Sequence, residues 1–325
     1  MVGRMAVVSD TGRRRRRNED AFVCAPPLFA VADGMGGAQA GEVASGLAAA
    51  VLEEGAGDER GEERVASLIQ EANRRVFQRS NEDAATSGMG TTMTVALVDS
   101  SSGTIAFGHV GDSRAYRVRD GRLEQLTDDH SLVGELVRSG KLSPEEAETH
   151  PQRSVITRAL GTEPDVDVDT FTVEAQPNDL YLLCSDGLTD MISADEIFSV
   201  LNGSDDLEAT ARALIEAANA GGGEDNITVV LFQIGHGGEV GQTAQMPVAA
   251  EPKQADDDED TLSGLDPVPV VDTAVIPVAV VEEHMQRVEA DAPSRPESRR
   301  RILPVVVLVL LILALIVLAA WGLSR

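Results

Sequence analysis

The sequence is poor in cysteine and in basic residues, and both shortages exclude classes of protein. Only two of its 325 residues are cysteine, Cys24 and Cys184, each in an apolar, strand-like context. A disulfide framework is therefore not expected, a reducing compartment is the simpler interpretation, and both side chains are predicted to be buried. Lysine and arginine number 27 against 54 aspartates and glutamates, for a formal net charge of -27. Because nucleic-acid binding depends on neutralising phosphates, we expect no nucleic-acid partner.

A secretory signal is not expected either, because the N-terminal MVGRMAVVSDTG contains no long apolar stretch. The other end differs. Residues 302–323, ILPVVVLVLLILALIVLAAWGL, carry no charge and reach the roughly 20 residues that cross a membrane as a helix. Three arginines at 299–301 precede this segment and only Arg325 follows it. Since positive residues stay on the cytoplasmic side, the sequence predicts a single-pass membrane protein whose preceding residues are cytoplasmic.

The chain before this span divides by composition at about residue 236. The first part has strand-like runs rich in β-branched residues, and its helical patterns fall at 41–54, 62–83, 193–201 and 206–220. The helices are grouped between strands rather than alternating with them, which favours an α+β domain of antiparallel sheets covered by helix pairs over residues 1–236. Residues 132–159 are polar and short-helical, as in an insertion that forms a lid beside a site. Residues 237–301, which are acidic and rich in proline, are predicted to be a disordered linker.

Several aspartates stand where a strand-like run meets a glycine or a turn. A lone Asp-Gly pair is usually a turn, but this chain has a series of such positions at Asp20, Asp33, Asp112, Asp186 and Asp225. Converging carboxylates repel one another, so the series implies either bound cations or strongly raised pKa values. Oxygen ligands without a Cys or His cluster select Mg²⁺ or Mn²⁺. Two such ions could activate a shared water, and phosphate-ester hydrolysis is the natural reaction.

Five successive arginines, Arg13 to Arg17, lie directly before Asn18, Glu19 and Asp20 in RRRRRNED. In an acidic protein such a run is open to three interpretations: a nucleic-acid tail, a membrane-topology signal or a phosphate clamp. The proposed hydrolysis favours the third, because an arginine near Asp20 could bind a phosphate dianion with two parallel hydrogen bonds. For the other arginines, a solvated basic rim is an equal alternative.

The order of motifs resembles that of the metal-dependent serine/threonine protein phosphatases of type 2C, in their compact bacterial form. The resemblance covers about residues 5–234 and rests on the motifs SDTGRRRRRNED, VADGMGG, GMGTTMTVAL, HVGDSRAYRVRDG, LTDDHS, HPQRSVITRALG, LLCSDGLTDMI and GGGEDNITVVL. It implies a central β-sandwich of two antiparallel sheets flanked by helix pairs, with the metals in a cleft at one end. It also implies two Mn²⁺ or Mg²⁺ ions per site and a weaker third.

The resemblance assigns the metal ligands to particular residues of this sequence. It implies that Asp33 bridges both metals and that the Gly34 carbonyl oxygen binds one of them. Asp186 and Asp225 would complete the coordination of the other ion. Asp112, with help from Asp186, would form the weaker third site.

The resemblance also implies roles beside the metals. Asp20, with Glu19, would act through water on the ions. Arg15, five residues before Asp20, would bind the substrate phosphate.

Two positions depart from the family pattern. Met35 stands where some members have a histidine that is thought to protonate the leaving alkoxide, and a thioether cannot donate a proton. We therefore hypothesise that water supplies this proton. Ala38 stands where bacterial relatives often have histidine, which removes no metal ligand. Among the remaining histidines, His109, His130 and His150 are first interpreted as hydrogen-bonded structural residues, with His130 and His150 as second-choice candidates for proton transfer.

The leading hypothesis is a phosphatase of the bacterial cell membrane that removes phosphate from serine and threonine of cytoplasmic proteins. A serine/threonine protein kinase that acts at the same membrane, together with its substrates, is the partner that this activity implies. Two hypotheses from other classes stay open. One is a phosphopeptide-binding module that has lost the chemistry, although no metal-binding aspartate is missing. The other is a membrane scaffold whose acidic linker is the working part.

Overall fold

The computed structural model of the protein describes residues 2–36, 40–55, 57, 59–235 and 274–275. The strands, in chain order, are β1 (Val2–Asp10), β2 (Asp20–Ala25), β3 (Leu28–Met35), β4 (Gly90–Thr91), β5 (Met93–Asp99), β6 (Thr104–Val110), β7 (Arg114–Arg119), β8 (Arg122–Gln125), β9 (Val155–Ile156), β10 (Asp169–Glu174), β11 (Leu180–Cys184), β12 (Ile227–Ile234) and β13 (Ala274–Val275). The helices are α1 (Ala40–Glu54), α2 (Glu62–Glu82), α3 (Leu132–Arg138), α4 (Pro144–Glu148), α5 (Asp186–Thr189), α6 (Ala194–Leu201) and α7 (Leu207–Gly221).

Two antiparallel sheets form the centre of the fold. The first has the strand order β1-β12-β11-β7-β8, and the second has the order β10-β6-β5-β3-β2 with β4 beside β3. The predicted β-sandwich is therefore confirmed. A separate parallel pair joins β9 to β13, in which Ala274 lies opposite Val155 and Val275 opposite Ile156.

Each sheet is covered by helices on its outer face and by the other sheet on its inner face. This explains why the strand sequences are apolar at successive positions instead of alternating with polar residues. In β3, Phe29 and Val31 face the other sheet, whereas Leu28, Ala30 and Ala32 pack in the core that includes residues of α1 and α2. Strand β11 repeats this arrangement against α6 and α7. Because both faces of these strands are buried, nearly every position is apolar. The predicted arrangement of helix pairs around the sandwich is thus confirmed.

Aromatic rings fill the space between the sheets. The rings of Phe29 and Phe232 stack with centroids 4.2 Å apart, and Tyr181 stacks on Phe232 at 5.0 Å. On the other side, Phe107 stacks on Phe171 at 5.2 Å. The chain has only 3% aromatic residues, and these five rings are half of its ten Phe, Tyr and Trp side chains. This layer of rings fixes the distance between the sheets and so the position of their strand ends.

Cys184 is buried as predicted, but Cys24 is only partly buried, because β2 is the last strand of its sheet. Within the described residues, no helix combines the length and the apolar character needed to cross a membrane. The predicted span at 302–323 lies outside the part of the chain that the structure describes, as does the predicted linker apart from residues 274–275.

Candidate metal and phosphate site

Asp20 and Asp33 lie opposite each other on neighbouring strands. Asp20 begins β2 and pairs in register with Asp33 near the end of β3. One oxygen of Asp20, Oδ2, accepts hydrogen bonds from Ser185 Oγ at 2.9 Å and from Thr228 Oγ1 at 2.6 Å. Because Thr228 lies in β12 of the other sheet and Ser185 directly follows β11 of that sheet, these bonds join the two sheets at one end of the sandwich. The pair of carboxyl groups therefore lies where the sheets meet.

Asp186 and Asp225 come from adjacent loops of the first sheet. Asp186 begins α5 directly after β11, and Asp225 lies two residues before β12. The two loops touch closely, since a Cβ atom on Gly187 would come within 2.0 Å of the Asn226 carbonyl oxygen. A side chain at position 187 would therefore push the loops apart. Glycine here is required for the two aspartates to share a cleft.

Gly34 is enclosed in the same way. A Cβ atom at this position would meet the Gly41 carbonyl oxygen at 2.1 Å and the Glu19 carbonyl oxygen at 2.5 Å. The Gly34 amide donates to the Glu19 carbonyl oxygen at 3.1 Å. This contact brings Glu19, Gly34 and the first turn of α1 together, so that Glu19 lies beside the aspartate pair.

Asp112 reaches the site from the end of β6. Asp112 is 7% exposed, and its Oδ1 atom has no hydrogen-bond partner. The same holds for Oδ1 of Asp20 and of Asp186. Buried carboxylate oxygens almost always have partners in folded proteins, so three oxygens without a protein partner in one region fit a site for a cation or ordered water.

Burial and mutual repulsion raise the pKa values of these carboxyl groups. For Asp20, burial is the main cause and raises the pKa to about 6. For Asp112, burial followed by the charges of Asp129 and Asp190 raises the pKa to about 7. The pKa values of Asp33 and Asp186 are raised well above the usual range by burial and then by neighbouring aspartates. Such a cluster is costly when ionised and gains most from a divalent cation.

The donor set fits a hard divalent ion. All the converging side chains offer oxygen, and the carboxyl group of Asp33 lies within hydrogen-bonding reach of those of Asp20 and Asp186. Among the described residues, no three His, Cys, Asp or Glu side chains surround a common point closely enough to ligate one ion as they stand. The three carboxyl groups predicted for one ion, those of Asp33, Asp186 and Asp225, are therefore not arranged around a common point in the described residues.

Arg15 lies in the same cleft, but its contact is with a predicted metal ligand. Its Nη2 donates to Asp225 Oδ2 at 2.8 Å, with about a quarter of each side chain exposed (25% and 28%). Burial disfavours the guanidinium charge, yet Asp225, Glu19 and Asp33 together outweigh burial and raise its pKa. The predicted phosphate ligand is therefore next to three of the acidic residues and keeps its charge.

The neighbouring arginines have other partners. Arg13 donates from Nε to the Asn219 carbonyl oxygen at 3.0 Å, and Arg14 pairs with Glu224 at 3.1 Å. Both pairs are exposed, so each contributes little to stability. These contacts favour Arg15, rather than its neighbours, as the residue directed into the cleft.

The sequence did not reveal the residues that hold these loops together. Asn226, 3% exposed, accepts from the Glu19 amide at 2.8 Å and donates to the carbonyl oxygens of Thr11 and Arg17 at 3.0 and 2.8 Å. It therefore joins the arginine loop to the Asp225 loop. The only signal was a polar residue next to the first apolar position of a buried strand. Ser185 and Thr228, which hold Asp20, gave no signal of their own.

Asp190 is a further acidic residue that was missed. It lies one turn after Asp186, and its pKa is raised mainly by burial. With Asp112, Asp186, Arg114 and Arg153 it lines a cavity of ≈ 650 Å³. Residues of the predicted lid, including Val133, Ala147 and Arg153, line the same cavity. The polar insertion therefore borders Asp112, Asp186 and Asp190.

Met35 and the histidines lie outside the carboxylate cluster. Met35 is buried against Ile156 and Ala159 of the lid. His109 and His130 are buried behind Asp112, with ring centroids 4.7 Å apart, and His150 Nδ1 accepts from the Gln152 amide at 3.2 Å. These contacts support a structural role for all three histidines. Ala38 lies outside the described residues.

Comparison with known proteins gives consistent matches over the sandwich. Residues 13–213 match the family model described as Protein phosphatase 2C. The chain is 43% identical over 237 residues to "Serine/threonine phosphatase stp" of Listeria monocytogenes, which covers 69% of this chain and 93% of the relative. It is 39% identical over 318 residues to "Serine/threonine protein phosphatase PstP" of Mycobacterium tuberculosis, which covers 95% of this chain but 59% of that protein.

Solved structures agree with these matches. The crystal structure of the Mycobacterium tuberculosis serine/threonine phosphatase PstP/Ppp superposes with a TM-score of 0.69 at 41% identity, covering 73% of this chain and 100% of that one. The catalytic domain of PstP in complex with two manganese ions has a TM-score of 0.67 at 39% identity, covering 72% of this chain and 99% of that one.

Proposed function

Because the chain belongs to the protein phosphatase 2C family, we propose that it is a metal-dependent phosphatase that hydrolyses phosphoserine and phosphothreonine in proteins. The observation that carries this proposal is the group of buried aspartates at one end of the sandwich, three of which have an oxygen atom without a partner. Burial raises the pKa values of these aspartates, so ionising them together costs free energy unless cations are bound. A group of this kind in a cleft is typical of a functional site.

Two Mn²⁺ or Mg²⁺ ions are the proposed cofactors, with a weaker third. Asp33, the Gly34 carbonyl oxygen, Asp186 and Asp225 would hold the two ions, and Asp112 with Asp186 would hold the third. When bound, such ions lower the pKa of a water nucleophile and stabilise charge on the phosphate oxygens. The relative solved with two manganese ions supports this choice.

The remaining steps belong to side chains of this chain. Asp20, held by Ser185 and Thr228, accepts hydrogen bonds and so orients water in the cleft, with Glu19 beside it. Arg15 binds the substrate phosphate, since its charge is retained and its side chain reaches the same cleft. Met35 offers no proton, so the proton for the leaving alkoxide comes from water.

The central experiment measures hydrolysis of a phosphothreonine peptide by the full chain with and without Mn²⁺. We expect activity that requires Mn²⁺, and a loss of at least about a hundredfold in kcat for Asp33→Asn. Asp165→Asn, in an exposed loop, is the matched control and should keep full activity. Peptide binding without hydrolysis by the unaltered chain would instead support a binding module.

The domain organisation and location are a second part of the proposal. Residues 1–236 form the catalytic domain, 237–301 a disordered acidic linker and 302–323 a membrane-spanning helix that keeps the domain on the cytoplasmic side of a bacterial membrane. Support comes from the uncharged run of residues 302–323 and from the arginines before it. Membrane fractionation of the full chain, with a deletion of 302–323 as control, tests the anchor. Equal recovery of both in the soluble fraction would refute it.

The proposed partners are cytoplasmic proteins phosphorylated on serine or threonine by a protein kinase, which this phosphatase would oppose. Relatives named serine/threonine phosphatases support this class of substrate. Phosphoproteomics of cells that carry Asp33→Asn beside unaltered cells would identify the substrates. If deletion of 237–298 leaves the phosphorylation pattern unchanged, the linker is not the working part.

A further inference from the structure

His130 holds the residue directly before Asp112 from both sides. The His130 amide donates to the Gly111 carbonyl oxygen at 2.7 Å, and the Gly111 amide donates to His130 Nδ1 at 3.1 Å. His130 itself is 3% exposed. Both polar groups of the Gly111 main chain are therefore bound by a single residue that lies outside the carboxylate cluster.

The turn at Gly111 has little freedom to adjust. Its φ of +113° is a conformation that favours glycine, and a Cβ atom would come within 2.5 Å of the Thr92 side chain. Thr92 in turn contacts Ser113 Oγ at 2.6 Å and accepts from the Asp33 amide at 3.0 Å. Gly111 is thus held between Thr92 and His130, and Oδ1 of the next residue, Asp112, has no partner.

The hydrogen bonds of the ring define its tautomer. A main-chain amide can only donate, so Nδ1 of His130 must be unprotonated, and the neutral ring carries its hydrogen on Nε2. Nε2 lies 3.1 Å from Asp169 Oδ2, which accepts this hydrogen. Arg158 Nη1 lies 3.0 Å from Nε2, but a guanidinium only donates and a protonated Nε2 cannot accept, so Arg158 donates to Asp169 Oδ1 at 2.6 Å instead. Asp169 begins β10 and Arg158 belongs to the lid. The ring is therefore oriented from two separate elements.

We propose that His130 is a positioning residue, whose Nδ1 fixes the Gly111 amide and so sets Asp112 for a divalent cation. This inference rests on the proposed function insofar as it assumes a cation at Asp112. Without the acceptor, the buried Gly111 amide would lack a partner and the peptide would turn to find one. Since Asp112 follows directly, its carboxyl group would move with that peptide. His130 touches neither substrate nor metal and acts through Gly111.

Two substitutions separate positioning from simple packing. In His130→Asn the amide oxygen can take the place of Nδ1 and accept from Gly111. In His130→Gln the side-chain amide can take the place of Nε2 and donate to Asp169, but no acceptor remains for Gly111. Both variants lose a similar part of the ring, so a purely structural role predicts similar results for the two.

The measurement is calorimetric titration of the metal-free full chain with Mn²⁺. We expect His130→Gln to weaken the weakest Mn²⁺ site about tenfold and His130→Asn to leave it within about twofold of the unaltered chain. Thermal melting in chelator should show similar losses for both variants. Equal Mn²⁺ affinities in the two variants, whether both are normal or both are weakened, would overturn the proposal.

A second measurement needs no variant. In the ¹⁵N-histidine-labelled, metal-free chain, the imidazole nitrogen shifts of His130 should show an unprotonated Nδ1 and a protonated Nε2. A protonated Nδ1 at neutral pH would overturn the proposal. Neither measurement depends on hydrolysis, so a chain that binds Mn²⁺ as expected but leaves phosphopeptides intact would refute the proposed function and not the role of His130.

Discussion

Asp112→Asn should stabilise the metal-free protein at neutral and alkaline pH. Burial, followed by the charges of Asp129 and Asp190, raises the pKa of Asp112 to about 7 in the folded chain, against a usual value of 3.8. Because the folded state holds its proton more tightly, the unfolded state ionises first as the pH rises. The folded chain therefore loses stability between about pH 4 and pH 7, and above pH 7 the full cost is present.

The size of this effect follows from the shift. About three pH units at roughly 1.4 kcal/mol per unit give a cost of about 4 kcal/mol at pH 8, which falls to about 2 kcal/mol at pH 5 and below about 1 kcal/mol at pH 4. Asparagine has nearly the same shape and carries no charge, so the substitution removes this cost. Removing a functional group from the site should therefore make the metal-free fold more stable.

The assay is urea denaturation of the full chain in chelator, followed by circular dichroism, at several pH values from 4 to 8. Asp165→Asn serves as the exposed control and should change stability by less than about 0.5 kcal/mol. Saturating Mn²⁺ should reverse the order, because the unaltered chain gains binding free energy at a site that the variant lacks. If Asp112→Asn is no more stable than the unaltered chain at pH 8, or if its advantage is the same at pH 4, the electrostatic reasoning is wrong.

Three further predictions follow from the contacts in the cleft. Arg15→Ala should raise KM for a phosphopeptide about tenfold or more, whereas Arg13→Ala, which loses only a bond to a carbonyl oxygen, should change it little; equal effects would refute the role of Arg15. Asn226→Ala should lower the free energy of unfolding by about 2 to 4 kcal/mol in urea titrations, because it leaves several buried groups without partners, and an unchanged midpoint would contradict this. Finally, if water protonates the leaving alkoxide, kcat for phosphopeptides should depend only weakly on leaving-group pKa although Met35 cannot donate a proton; the same steep dependence for aryl phosphates and phosphopeptides would mean that no acid acts.

Local patterns were enough to predict the layers of the fold. The helix predicted at 206–220 is observed as Leu207–Gly221, and the one predicted at 193–201 is observed as Ala194–Leu201. The continuous apolar runs LFAVA and LYLLC predicted buried strands because both of their faces pack against other layers. The aspartates at the ends of these strands could be expected to converge, since strand ends meet at one edge of a sandwich.

The connections between loops could not be predicted, because they join residues far apart in the chain. The two residues that donate hydrogen bonds to Asp20 are 165 and 208 positions away from it in the sequence. The partner of Arg15, Asp225, is 210 positions away. Serine, threonine and asparagine have no periodic pattern at such positions, and their partners are decided by the packing of whole sheets. For the same reason the edge position of Cys24, which leaves it partly exposed, required the strand order.

The run of five arginines in an acidic protein is explained by the loop that it meets. Arg13, Arg14 and Arg15 contact Asn219, Glu224 and Asp225 in turn, so successive arginines line the segment that leads into β12. These contacts join the first three arginines of the run to the folded domain. They also reduce the repulsion that Asp225 would otherwise add to the aspartate cluster, since a guanidinium at 2.8 Å offsets its charge before any cation binds. The same charge that helps the acidic cleft form is then in place to bind a phosphate dianion, which is why one position can serve both the fold and the proposed chemistry.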